Sequence, residues 1–414
     1  MTAASGRRRV VITGLGAVTP AGNDVPTTWA ALLAGRSFAT RLKRFEEAGL
    51  RSQVGAECSF DVAKVVSKQD ISRFARATQM TVAAAIEAWR DAGFDTAPPD
   101  PGRAGTYVGT AMGDGAETFR QASNLMSRGV RAVHPLYVAR CMSNAAPAHV
   151  SLELVLRGPS ATVASACASA AHALGASLRA IQYGEADVMV AGGGEEMSCV
   201  MLQAGLMRAG LTTSHGDAPE RASRPFDRRR DGMVPAEGAA MLVLEEADHA
   251  RRRGARVYAE LAGVGQATST GDMMAVDAEA AAAAMTGAIA DAAWRPEQVG
   301  YINAEGASTV AGDRAEAEAI RRAFGAHASK FAVSSTKSML GHALGAAPAM
   351  GAMAATLSIR DGRVHATINQ EERDPEIGLD VVPNESRAIQ VDRALVNAFG
   401  AGGGCVTLAL SRFA

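Results

Sequence analysis

Four runs of β-branched and aliphatic residues bounded by glycine stand out along the chain: VVITGLG at 10–16, AGTYVGT at 104–110, ADVMVAGGG at 186–194 and AAMLVLEE at 239–246. None alternates apolar with polar positions, so each predicts a strand covered on both faces. Between them lie Ala-rich stretches of helical period, among them ATQMTVAAAIEAWRDAG at 77–93 and ASAAHALGASLRAIQYG at 168–184. Buried strands alternating with helices predict an α/β fold with helices over the sheets. One internal match extends this. VASACASAAHALGA (163–176) and VSSTKSMLGHALGA (333–346) align at a constant offset, each a small-residue strand entering a helix, with Cys167 opposite Lys337. Ala/Gly sequence repeats by chance, so the match alone permits coincidence or duplication. A duplicated chain would divide near RRRGARVYAE, after residue 250, giving halves 1–253 and 254–414.

Length and composition narrow the classes. The 414 residues suit one large fold or two fused halves. With 21% charged residues and a net charge of −1, there is no electrostatic reason to expect nucleic acid or an anionic membrane as partner. Five scattered cysteines, with no C-x-x-C pair and no zinc spacing, argue against a disulfide framework or a metal site. A cytoplasmic protein is expected. GRRRVVITGLGAVTPAG mimics a targeting signal but its apolar run is short, and GHALGAAPAMGAMAATLSI, near membrane length, reads as a buried core helix because it holds His342 and is built of Ala and Gly.

Candidate chemistry follows from local context. GLGAVT (14–19) lacks the third glycine and the distant acid of a dinucleotide site, and reads as a tight turn off a buried strand. Cys167 lies among small residues where strand gives way to helix. A helix starting just after it would favour thiolate, and the context predicts a nucleophile. His172, five residues on, is placed for structure. Lys337 and His342 lie near the start of an apolar helix, where an ammonium needs an acid; Glu316 or Asp313 in GDRAEAEAI would supply it. The glycine run in NAFGAGGGCVTLAL reads by itself as a hairpin turn, and with partners would expose backbone N–H groups of the kind that form an oxyanion hole. In YINAEGASTVAGD (301–313), Glu305 stands alone where a strand meets a loop of small residues, as either a solvated turn or a catalytic acid.

Taken together, VVITGLGAVTPAGN, LRGPSATVASACASAAHA, ADVMVAGGGEEMS, SRPFDRRRDGMVPAEGAAMLVLEE, YINAEGASTVAGDRAEAEAI, SSTKSMLGHALGAA and NAFGAGGG closely resemble the β-ketoacyl-acyl carrier protein synthases of the thiolase superfamily, in particular the type II elongating branch. The likeness runs nearly end to end. It implies a duplicated five-layer αβαβα thiolase fold with two pseudo-symmetric halves. It implies Cys167 as acyl-accepting nucleophile, His342 as hydrogen-bond donor to a thioester enolate, and Lys337 with Glu316 as a supporting ion pair. The amides of Cys167 and Ala401 would form the oxyanion hole, with Asp313 in support. Thr309, Phe399, Ala401, and Met112 and Tyr137 in the AMGDG and HPLYVAR segments, would touch substrate or a second subunit. An acyl carrier protein is the implied partner, in a homodimer or a pair with a related subunit. No cofactor is implied beyond the phosphopantetheine that carries the substrate as a thioester.

The departures from the family pattern cluster. Where N-A-H-G-T-x-T is usual, Glu305 replaces the second catalytic histidine and Ala307 the first threonine. Ala401 replaces the gating aromatic of GFGG, and Gly404 and Cys405 replace Thr-Asn. An ionised Glu305 would repel a malonyl carboxylate by roughly 4 kcal/mol at 4 Å and an effective dielectric near 20. The expectation is therefore an enzyme that loads a chain on Cys167 and performs a step without decarboxylation, by cyclisation or acyl transfer in specialised metabolism. An ordinary elongating synthase with protonated Glu305, or a non-catalytic chain-length-factor-like subunit, are the alternatives.

Overall fold

The computed structural model describes residues 6–61, 63, 72–95, 98–197 and 199–414. Ser198, the last residue of the ADVMVAGGGEEMS stretch, lies outside them. The expected strands form as β1 (Val10–Val18), β2 (Ala104–Gly109), β4 (Val188–Glu195) and β5 (Gly238–Glu246), joined by a short β3 (Ser160–Val163). Five more follow: β6 (Ala259–Thr268), β7 (Tyr301–Asn303), β8 (Ala332–Ser334), β9 (Arg393–Phe399) and β10 (Gly404–Ser411).

The strand order is β8-β7-β9-β10-β6-β1-β5-β4-β2-β3. Read outward from the centre, each side has its first strand, then its fifth, fourth, second and third. Polarity repeats as well: the inner pairs are antiparallel, and the outer two pairs of each side, β4–β2–β3 and β9–β7–β8, are parallel. The sides meet at β1 and β6, through Val11 with Glu260 and Ile12 with Ala259. The repeated pentapeptide is thus a true duplication, since β3 and β8 occupy equivalent edges.

Five layers follow from alternation along these strands. On β5, Ala240, Leu242 and Leu244 face a central cluster, while Ala239, Met241 and Val243 face an outer one. On β9, Ala394, Val396 and Ala398 face the same centre, and Leu395 and Phe399 the opposite outer cluster. Helices α2 (Ser169–Gln182) and α5 (Ala347–Asp361) fill the centre; α1 (Arg76–Asp91) covers one outer face, and α3 (Ala278–Asp291) with α4 (Val310–Phe324) the other. Strands buried on both faces need apolar side chains at every position, which explains the continuous runs.

Two local expectations are corrected. Gly14 and Gly16 do not make a turn, because β1 continues to Val18. A β-carbon on Gly16 would lie 1.9 Å from the Ala84 carbonyl oxygen of α1, so these glycines let helix and strand approach closely. Nor do Lys337 and His342 begin the long apolar helix. Lys337 opens a separate turn, Lys337–Leu340, ended by Gly341 at φ +73°, and α5 starts only at Ala347, with Pro348 in its first turn. Among the described residues no helix is long and apolar enough to cross a membrane, and no cluster could hold a metal ion.

Candidate active site

The C-terminal ends of the parallel strands in both halves converge on a cavity of about 350 Å³. Its walls include Cys167, Glu305, Thr309, Asp313, His342, Phe399 and Ala401, so seven sequence candidates far apart in the chain come together. The solvated-turn reading of Glu305 is excluded, because the residue is 7% exposed.

Cys167 sits in the turn between β3 and α2. Ala166 takes φ +51°, a left-handed conformation that a small residue tolerates best. The Ser169 hydroxyl fixes the turn by accepting from the Ser165 amide at 2.9 Å and donating to the Ala166 carbonyl at 2.6 Å. The Ser165 hydroxyl meets His172 Nδ1 at 2.7 Å, so His172 is structural. Gly400 packs against this turn, and a β-carbon there would lie 2.8 Å from the Ser165 carbonyl and 3.1 Å from the Cys167 amide. That contact brings the Ala401 amide to the sulfur, the side from which an oxyanion would be met.

The helix does start just after Cys167, but the expected thiolate does not follow. Burial and then the Glu305 carboxylate push the thiol up to about 12, outweighing the opposing effects of Lys337 and the Ala401 amide. A dipole effect of about 0.3–1 kcal/mol is too small against these. Reaction at Cys167 therefore needs a base.

Glu305 is held from all sides but one. Its amide and that of Gly306 donate to the two Glu316 carboxylate oxygens at 2.9 and 2.8 Å. Its carbonyl accepts from Lys337 Nζ at 2.6 Å, and its Oε2 accepts from the Phe399 amide at 3.3 Å and lies 3.5 Å from Lys337 Nζ. Oε1 has no hydrogen-bond partner and lies 3.4 Å from His342 Nε2. Burial raises this carboxyl to about 7, with Lys337 opposing and Glu316 reinforcing the shift. His342 is fixed by its backbone, donating to the Val234 carbonyl at 2.8 Å and accepting from the Ala236 amide at 3.0 Å. Burial, then Lys337, drives its ring well below the ordinary histidine value, so it is neutral.

The expected Lys337–Glu316 ion pair is not formed. The long Lys337 side chain ends at Glu305, while Glu316 is occupied by two backbone amides and by Asn397 Nδ2 at 2.9 Å. Asp313 does not neutralise Lys337 either: it accepts from the Phe226 amide at 2.8 Å and lies 3.6 Å from Arg230 Nε. A loop carboxylate at 305 reaches the ammonium first, and the helix acids keep structural partners. Two further candidates lie outside this cavity. Met112 lines a smaller second cavity of about 180 Å³ behind the Cys167 turn, with Thr110, Asp114 and Ala164. Tyr137, half-buried in the short helix Tyr137–Cys141 beyond the sheet edge, lines neither cavity.

Two site-shaping residues were missed. Asn397 bridges Glu316 to the Thr407 hydroxyl, and Glu195, buried at the end of β4, gathers the Ala111 and Met112 amides at 2.6 and 3.0 Å behind the nucleophile turn. The adjacent acids after a buried glycine strand, GGGEE, were the available signal for Glu195.

A twice-repeated five-strand unit with a nucleophile turn from one half facing acid and imidazole from the other is the architecture of thiolase-type acyl-transferring enzymes. Residues 7–250 match the β-ketoacyl synthase N-terminal domain family, and 258–371 its C-terminal domain family. The chain is 40% identical to 3-oxoacyl-[acyl-carrier-protein] synthase 2 of Coxiella burnetii, over 98% of this chain and 99% of that one. It is 39% identical to the synthase of the same name from Vibrio cholerae, over 96% and 97%. Among solved structures, a type II polyketide ketosynthase in complex with its acyl-carrier protein superposes with a TM-score of 0.92 at 30% identity, over 99% of this chain and 100% of that one. The ishigamide ketosynthase/chain length factor gives 0.92 at 32% identity, with the same shares. The chain belongs to the β-ketoacyl synthase family.

Proposed function

We propose that this protein takes an acyl chain from an acyl carrier protein onto Cys167 and completes a step that consumes no malonate, by intramolecular cyclisation or acyl transfer in bacterial specialised metabolism. The observation that carries this reading is Glu305: an acid with one open oxygen stands in the cavity beside a neutral His342. The lining adds Asp231 and Asp313, and no Lys or Arg among the described residues faces the space. A malonyl carboxylate entering it would find like charges and no cation.

In this mechanism Glu305 accepts the Cys167 proton, which the raised thiol cannot shed unaided. The Cys167 and Ala401 amides hold the tetrahedral oxyanion. His342 donates from Nε2 to a carbonyl that gains negative charge, and Lys337 steadies the Glu305 carboxylate. Ala401, exposed at the cavity mouth, leaves room for a bulky or branched chain. The carrier's phosphopantetheine is the only prosthetic group the reaction requires. Association of two copies is part of the proposal: Met126, Val138 and Leu152 are 85%, 75% and 73% exposed, beside the unpaired edge of β3.

A second reading has support of its own. Relatives named as elongating synthases, and a Glu305 that is partly neutral near pH 7, favour ordinary decarboxylative condensation. A non-catalytic subunit is disfavoured by the cysteine held at the turn.

The test uses acyl and malonyl carrier thioesters, following the mass of the Cys167 peptide and carbon dioxide release. Acylation without decarboxylation is expected at pH 8. Absence of acylation sinks both enzymatic readings, and brisk decarboxylation sinks the first. Glu305→His should raise carbon dioxide release tenfold or more, since removing about 4 kcal/mol of repulsion exceeds the 1.4 kcal/mol of a tenfold change.

A further inference from the structure

The acyl-transfer branch of that reading leaves the acceptor unnamed, and the cavity carries information about it. Three carboxylates, Asp231, Glu305 and Asp313, share walls with Cys167, Thr309 and His342, and the remaining lining is apolar or backbone, Leu211, Met233, Met274, Val276 and Val310 among it. Acidic residues alone define nothing, and two of these have counterions, Glu305 in Lys337 and Asp313 in Arg230. What distinguishes the site is unused valence. Glu305 Oε1 and Asp313 Oδ1 are buried, belong to residues 7% and 1% exposed, and accept no hydrogen bond. A buried acceptor without a donor is unfavourable, and more so when charged. Oε2 of Glu305 is tied to Phe399 and Lys337, which aims the carboxyl and leaves Oε1, 3.4 Å from His342 Nε2, as its unpaired oxygen.

Resting on the acyl-transfer reading above, we propose that the second substrate is a primary amine, entering as its ammonium on Glu305 Oε1, and that the product is an amide. An ammonium supplies several donors and a positive charge to a cavity whose walls carry unpaired acceptors and, among the described residues, no Lys or Arg, Lys337 being engaged on the other oxygen, Oε2, at 3.5 Å. An alcohol supplies a donor without the charge, and a malonyl group brings the wrong charge.

The steps balance. Glu305 takes one proton from the ammonium and passes it to solvent. The free amine nitrogen attacks the Cys167 thioester carbonyl, whose oxygen takes up negative charge against the Cys167 and Ala401 amides. The C–N bond forms and the C–S bond breaks. A second nitrogen proton returns through Glu305 to the sulfur, which leaves as a thiol. The return matters because this sulfur holds its proton up to about 12 and is a poor leaving group as thiolate. A carboxyl near 7 is matched to both transfers. The groups that face it are Lys337, Glu316, His342, Cys167 and Cys405; the neutral His342 adds no charge to oppose an ammonium, and Lys337 is engaged on Oε2.

The experiment begins with full-length protein already acylated on Cys167 by an octanoyl-carrier thioester, verified by peptide mass. Release per loaded cysteine is followed with n-butylamine, n-butanol or buffer alone, and products are identified by mass. Butylamine should speed release at least tenfold over buffer and give N-butyl octanamide, with butanol near the buffer rate. Because the amine enters as its ammonium, the amine-driven rate should rise with pH to about 7 as Glu305 ionises and level off above it, and Glu305→Gln, normalised to its loaded fraction, should lose the amine enhancement. Butylamine release equal to buffer, butanol release equal to butylamine, or a native pH profile that is flat from 6 to 8 or climbs above 7 in proportion to free butylamine overturns the proposal. The pH profile decides even if Glu305→Gln does not fold. Failure to load Cys167 at all instead overturns the parent reading, so the two failures are distinct.

Discussion

Glu305 is where one side chain decides a reaction. Two opposing effects meet on it, and burial is the larger. Burial favours the neutral acid, Lys337 at 3.5 Å favours the anion, and the outcome lies at about 7. Below that value the carboxyl is neutral, no longer repels a malonyl group and can donate a hydrogen bond. Above it, in the proposed reading, the carboxylate opposes decarboxylation and serves as base. Carbon dioxide release from malonyl carrier thioester by the native protein should therefore rise as pH falls from 8 to 6, the reverse of what an acid-inhibited enzyme shows. A profile that is level or falls toward acid would contradict the placement of charge at 305. Cys167 makes a related point. Its position at a helix start is legible in the chain, yet the thiol is raised because burial and an adjacent carboxylate outweigh the dipole.

At the scale of elements, the site depends on one loop closing on another. The glycine turn after β9 must pass within contact of the turn between β3 and α2 for the Ala401 amide to reach the sulfur. Gly400→Ala places a methyl group 2.8 Å from the Ser165 carbonyl, closer than real contacts allow, so one turn must shift. A displacement of a few tenths of an ångström spoils oxyanion geometry long before it unfolds a sheet. Acylation of Cys167 is expected to slow tenfold or more, while the thermal midpoint moves by only a few degrees. Unchanged acylation would show that this contact does not set the oxyanion hole.

For the molecule as a whole, two properties follow from burial. Glu87, Glu195, Glu305 and Asp313 are each pushed up to about 7 by it. A free carboxyl titrates near 4, so the folded chain holds extra protons between these values. The stability from these groups is complete below about pH 4 and is lost as pH rises through 7. Groups lowered by ion pairs, such as Asp187 and Glu371, change only at more acid pH. The thermal midpoint should fall between pH 5.5 and pH 8, and a midpoint that rises there would refute the account. The second property is the exposed apolar edge beside β3. Sedimentation should show two chains per particle, and Val138→Asp combined with Leu152→Asp should shift it to one. A native monomer would remove the proposed interface.

The chain by itself determined the strands, the helices over them, the duplication and the family, because strands buried on both faces write unbroken apolar runs and a duplicated turn writes a repeat. It also singled out Cys167, His342, Lys337 and Glu305, each a reactive type in an otherwise small or apolar setting. How they are paired and charged comes from the way distant segments meet in space. Lys337 joins Glu305 rather than Glu316, Cys167 is a thiol rather than a thiolate, and Gly16 admits a helix instead of making a turn. Each depends on distance, desolvation or shape between segments far apart in the chain. Coulomb energy and burial act through space, so local pattern cannot fix them.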